Sequence, residues 1–177
     1  ALGVEHLLGG LDHLCLVIGL TLLVGLRLRL VSALTAFTLG HSLSLALGAT
    51  GVVSLPPAVV ESAIAATLIL LALDLVAPPR GTSWFVRAPW ATGAIVGLVH
   101  GLGFAGALSE VGLPGEHLAL ALLGFNLGLE LAQLGAVAVL SAVLVVTRWV
   151  GAAAPVAVAA GWVIGVAGSF WLIQRAL

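Results

Sequence analysis

The sequence predicts an all-α polytopic membrane protein, a six-transmembrane-helix bundle with both termini on the extracytoplasmic side. Three observations lead there. Of 177 residues, 62% are hydrophobic and only 7% charged, with a mean hydropathy of +1.28, whereas soluble domains carry about 25% charged residues. Apolar stretches of about 20 residues, the length that crosses a hydrocarbon core, recur along the whole chain. That recurrence sets aside a lone secretory signal and a surface-lying amphipathic helix. The breaks between the stretches hold Pro, Gly and Arg.

The first span is drawn over residues 3–26 and is closed by Arg27 and Arg29. It carries Glu5, His6, Asp12 and His13 in an otherwise apolar run, and ionisable groups inside a span are costly enough to signal a use. As one continuous helix it sets His6 and His13 on one face, about 10 Å apart along the axis, with Glu5 and Asp12 on the adjoining face. Gly9 and Gly10 between them admit the close approach of another helix. The second span covers 31–51, and Gly51 with Pro56-Pro57 marks the next turn. Pro57 suits the first turn of a third span at 57–77. Pro78, Pro79, Arg80 and Gly81 break the chain, and a short polar linker runs to Pro89. The fourth span is 90–110, followed by a turn at Gly112, Pro114 and Gly115; the fifth is long, 116–147, and ends near Arg148; Gly151 and Pro155 precede a sixth at 154–175. With no long linker, low-complexity run or internal repeat, residues 1–177 read as a single transmembrane domain.

Orientation follows from arginine. Arg27, Arg29, Arg80, Arg87 and Arg148 fall in the linkers after spans 1, 3 and 5, and only Arg175 falls on the other side. The positive-inside bias puts those linkers in the cytoplasm. The chain starts on Ala1 and has no Met, so a processed or trimmed leading segment is expected. A formal net charge of −1 without a basic cluster gives no support to nucleic acid as a partner, and none is expected. The single Cys15 cannot form an internal disulfide and reads as a small apolar helix residue. Gly93, Gly97 and Gly101, Gly124 and Gly128, and Gly161 and Gly165 recur at four-residue spacing. Such faces let helices touch in lipid; they serve bundle packing or a homo-oligomer through Gly-xxx-Gly contacts. The sixth span, with no ionisable residue but Arg175, reads as scaffold. Trp84, Trp90 and Trp149 read as an interfacial aromatic belt.

The polar residues inside the spans fall at matching depths. At about 1.5 Å per residue, His13, His41, His100 and Asn126 each lie near mid-membrane, with Glu130 one turn deeper than Asn126. His6 and Glu61 sit nearer the outer surface and Asp74 near the cytoplasmic end. Asn126, Glu130 and Gln133 form one stripe on the fifth span, Thr38, His41, Ser42 and Ser44 a polar turn on the second. Gly101 and Gly103 bare the backbone around His100, and Gly103 with Gly106 would let that helix bend or unwind. His117, Glu110 and Glu116 read as solvated. Neutral imidazoles with carboxylates and an amide suit a divalent transition ion, Ni²⁺, Co²⁺ or Zn²⁺; the absence of Met argues against a Cu(I) path. Metal binding through neutral imidazole should weaken below about pH 6. The same cluster could instead hold a catalytic zinc water, so an intramembrane zinc-dependent hydrolase stands as the alternative. No nucleophile motif is evident, since Ser42 and His41, adjacent on a helix, point about 100° apart.

The motifs HLLGGLDHL (His6–Leu14), TAFTLGHSLSLAL (Thr35–Leu47), GLVHGLGFAGAL (Gly97–Leu108) and FNLGLELAQL (Phe125–Leu134) resemble the HupE/UreJ family of bacterial membrane proteins. The resemblance implies a hydrogenase- or urease-accessory membrane protein of the kind regarded as a nickel or cobalt permease, in the bacterial inner membrane. It points to His6, Asp12, His13, His41, Glu61, His100, Asn126 and Glu130, the set that depth selects. Asp74 departs from the family, where Asn is expected, and Ala132 where Gly is common. The resulting expectation is a metal permease or binding protein, with enzymatic use of the same site left open as the alternative. Glu5, His6 and Glu61 form its entrance, His13, His41 and His100 are ligands, Asp12 and Glu130 supply charge balance or ligation, and Asn126 orients them.

Overall fold

The computed structural model describes residues 2–77, 83–111 and 118–177. Among them every regular element is helical: α1 (Leu2–Gly9), α2 (Leu11–Val24), α3 (Leu28–Ala49), α4 (Pro57–Val76), α5 (Trp84–Arg87), α6 (Pro89–Val111), α7 (Leu118–Trp149) and α8 (Ala153–Ala176). Four of these, α3, α4, α7 and α8, are long and apolar enough to cross a membrane, and α1 with α2 makes a fifth candidate if the bent pair is one span. The chain is a multi-pass membrane protein. The fourth predicted segment is the unbroken helix α6. Pro57 occupies the first helical position of α4, where its missing N–H costs nothing.

The first expected span is not one helix. It breaks at Gly10, and α1 and α2 meet at 79°. A pair of glycines has poor helix propensity, and Gly10 takes an extended conformation (φ −87°, ψ 93°) as the N-cap of α2. Its N–H still reaches the His6 carbonyl at 2.9 Å, and its own carbonyl accepts from Leu14 at 3.1 Å, so the irregular backbone keeps its hydrogen bonds. Irregular backbone at membrane depth is tolerated where it lines a cavity, and Gly10 lines one. A Cβ there would come within 2.9 Å of both His13 Nδ1 and the His6 carbonyl oxygen.

The glycine faces are consumed inside the chain. The most extensive pairing is α3 with α6. A Cβ at Gly93, Gly97 or Gly101 would overlap the carbonyls of Ala33, Phe37 and His41, and one at Gly40 that of Ala94. Gly161, Gly165 and Gly168 of α8 lie against α4 in the second largest pairing, and Gly3 of α1 against α7 at Phe125 and Leu129. The Gly-xxx-Gly faces expected to support a homo-oligomer are therefore occupied by intramolecular neighbours, save Gly124, which faces open space. Helix α6 runs without interruption through Gly103 and Gly106, so the unwinding expected there is found at Gly10 instead. The outer faces of α7 and α8 carry exposed Leu, Val, Trp and Phe, as lipid contact requires. Trp84, Trp90 and Trp149 are exposed as well.

Candidate metal centre

The break at Gly10 folds His6 back over His13. Their ring centroids lie 4.6 Å apart, instead of the two-turn separation that a straight helix imposes. His41 of α3 joins them at 5.7 Å from His6 and 5.8 Å from His13. His100 of α6 lies 5.0 Å from His13. Four of the chain's five histidines thus converge from four helices; the fifth, His117, lies outside the described residues, as does Glu116. Two overlapping donor groups result. Ligand atoms of His6, His13 and His41 lie within 4.8 Å of one another, and so do those of Asp12, His13 and His100. His13 belongs to both.

Asp12 sets the orientation of His13. Its Oδ1 accepts the His13 backbone N–H at 2.8 Å and pairs with His13 Nδ1 at 2.9 Å. With Nδ1 donating to the carboxylate, Nε2 presents its lone pair to the cluster, the arrangement that raises the basicity of metal-ligating histidines. His100 is held from the other side, where its Nε2 meets the Thr67 hydroxyl at 3.3 Å. Among the described residues five other ring nitrogens find no partner: His6 Nε2, His13 Nε2, both nitrogens of His41 and His100 Nδ1 are buried and unbonded. An orphaned buried polar atom costs about 1–3 kcal/mol, so five in one place is an expensive arrangement unless something else satisfies them.

Three phenylalanines wall the cluster. Phe37 packs edge-on to His13 at 5.8 Å and His100 at 5.4 Å. Phe104 and Phe125 stack on each other at 5.4 Å and flank His6 at 4.4 and 5.2 Å. None of the three was singled out from the sequence, although each stands inside one of the quoted motifs. A cavity of about 200 Å³ opens onto His6, Asp12, His13 and His100, bounded by Gly10, Gly103, Phe104, Glu61 and Arg175. The role of α8 as pure scaffold needs correcting, because its last turn delivers Arg175 to this wall. Glu61 is at the mouth, while Glu5 is exposed and outside the cavity lining.

The stripe on α7 splits. Asn126 is buried, donates Nδ2 to the Leu122 carbonyl at 2.7 Å and leaves Oδ1 unbonded. Glu130 belongs to neither donor group. Its Oε1 accepts from Thr35 at 2.6 Å, and one turn on, the Gln133 Oε1 accepts from Thr38 at 3.1 Å. These two rungs fasten α7 to α3. The hydroxyls of Ser42 and Ser44 donate to carbonyls of α3, so neither is aimed at an imidazole. At the other end of α4, Asp74 accepts from Ser83 and lines a second cavity of about 310 Å³ together with Thr67 and Thr92.

With this geometry in place, comparison with known proteins is informative. A family model described as HupE / UreJ protein matches residues 1–175. The chain belongs to the HupE/UreJ family. No curated protein and no solved structure matches it. Family membership points to metal handling by a membrane protein, and the donor groups of this HupE/UreJ chain are of a kind that can do it. They mix borderline imidazole nitrogen with one carboxylate and contain no thioether, a set suited to Ni²⁺, Co²⁺ or Zn²⁺.

Proposed function

We propose that this protein carries a divalent transition metal ion, nickel or cobalt, across a bacterial inner membrane towards the cytoplasm. Residues 1–177 would act as one transmembrane domain of six spans, with both termini outside and the arginine-bearing linkers inside. The observation that carries this reading is the set of buried imidazole nitrogens without a partner among the described residues, gathered from α1, α2, α3 and α6, with His6, His13 and His100 opening onto one cavity and His41 buried behind them. His6, His13, His41 and His100 are the proposed ligands. Asp12 orients His13 and joins it in the second donor group. Asn126, with Oδ1 free beside the cluster, trims the ligand set from α7, and Glu130 supplies negative charge one turn away.

Transport is favoured over retention by two features. The donor atoms form two overlapping groups that share His13, so an ion can pass from one to the other without losing all of its ligands. The polar line then continues past His100 to Thr67, which lines the second cavity with Asp74.

The test is metal content. Purified protein loaded with Ni²⁺ or Co²⁺ should hold stoichiometric metal, and the His13→Ala, His41→Ala, His100→Ala triple variant should hold almost none. Undiminished metal in that variant would remove the assignment. Uptake of Ni²⁺ or Co²⁺ into sealed vesicles then separates a carrier from a binding protein.

A further inference from the structure

A cavity that admits a dication has no obvious use for a guanidinium in its wall, yet Arg175 is held there. Its Nε pairs with Glu61 Oε2 at 3.2 Å, its Nη1 donates to the Glu61 backbone carbonyl at 3.3 Å, and its carbon Cζ lies 5.6 Å from the centre of the Trp171 ring. Trp171 stands one turn earlier on α8, so helix geometry sets it as a shelf beneath the charge. Three contacts thus fix a long side chain that would otherwise be free. The Glu61 carboxylate is 43% exposed and Arg175 23%, which places the pair at the rim and not in the depth of the site. Both line the cavity that also holds His6, Asp12, His13 and His100.

We propose that Arg175 controls access to this cavity: it occupies Glu61 at the mouth, and an incoming dication must take that carboxylate from it. This rests on the metal reading above and deepens it. Unpaired, Glu61 would attract any cation and concentrate Na⁺ or K⁺ at the mouth. Paired, the rim is neutral, and a monovalent ion gains too little from one carboxylate to displace a guanidinium held at three points. A doubly charged ion gains more and finds imidazole donors immediately beyond. Charge at a rim chiefly sets the rate of association and its salt dependence, so Arg175 is a positioning residue acting on arrival, not a ligand.

The experiment follows Co²⁺ association with the purified full chain by stopped flow, reading the visible d–d absorbance that reports the ligand set. Arg175→Gln should raise the association rate about tenfold with unchanged spectrum and stoichiometry, as removal of a like charge from a rim does. Arg175→Lys should stay within about twofold of the wild type, since the charge is kept. Glu61→Gln should slow association, and in the Arg175→Gln background it should abolish the gain, because the two act as one pair. An unchanged or slower rate in Arg175→Gln with an intact spectrum overturns the proposal and leaves the metal site standing. Loss of the spectrum in Arg175→Gln overturns it too, since the residue would then be holding α8 to α4. A wild type that gives no Co²⁺ spectrum at all refutes the metal reading and the access control with it.

Discussion

His13 is the side chain that both donor groups require, and its neighbour Asp12 is what makes it usable. The carboxylate takes Nδ1 at 2.9 Å and the His13 backbone N–H at 2.8 Å, which fixes both the tautomer and the ring plane. Loss of His13 removes a ligand from each group, whereas loss of His41 or His100 empties one position in one group. Calorimetric titration with Ni²⁺ should therefore rank His13→Ala as the most damaging single change, with His41→Ala and His100→Ala milder than it. Asp12→Asn keeps the volume but weakens the orienting bond, and it should lower affinity by about 10–100-fold, the range for loss of such a partner. Equal losses in all three histidine variants would mean that the two groups act as one. At this scale the sequence showed which residues matter more clearly than where they meet. Depth is legible because helical rise is constant, and it placed His13, His41 and His100 level with one another. Rotation about each axis is not legible, so nothing in the sequence pairs Glu130 with Thr35. Nor could any local pattern pair Arg175 with Glu61 across 114 positions.

Among elements, the seam between α3 and α6 holds the cluster in register, since it carries His41 on one side and His100 on the other. Its glycines allow backbone to touch backbone: Gly40 meets Ala94, Gly97 meets Phe37, and Gly101 meets His41 itself. In lipid, where burying apolar surface gains little, such contact is a main source of helix association. A methyl group at Gly97 would overlap the Phe37 carbonyl, and overpacking of this kind costs about 1–3 kcal/mol. Gly97→Ala should accordingly lower the thermal unfolding midpoint in detergent and weaken Ni²⁺ binding, while Gly124→Ala, which meets nothing within 4 Å, should do neither. Matching behaviour of the two variants would show that the seam is looser than drawn. The long helices were readable from apolar length and from Pro and Gly punctuation, and their ends fall within a few residues of those expected. The break at Gly10 was not, because two glycines in an apolar run serve equally for close packing and for a change of direction. The four-residue helix α5 is too short to leave a periodic signal.

Across the whole molecule, α4 is the strut that connects the two cavities. Glu61 near its start borders the histidine cavity, Asp74 near its end borders the second, and Thr67 between them touches His100 while lining the second. Thr67 and Asp74 are seven residues apart and so share a face. On the proposed transport path, an ion leaving His100 would replace a ligand before it lets go, and the Thr67 hydroxyl is the oxygen already in contact. Asp74 would then offer the first full charge on the far side, with Ser83 its present partner. Thr67→Val keeps the shape but removes that hydroxyl, and Asp74→Asn removes the charge. Each should slow Ni²⁺ uptake into sealed vesicles about tenfold, equivalent to about 1.4 kcal/mol on the barrier, while equilibrium binding to the solubilised protein stays within about twofold of the wild type. Uptake and binding falling together in Thr67→Val would make that threonine a support for His100 and not a step on the path. Full uptake in both variants would place the way out somewhere other than along α4.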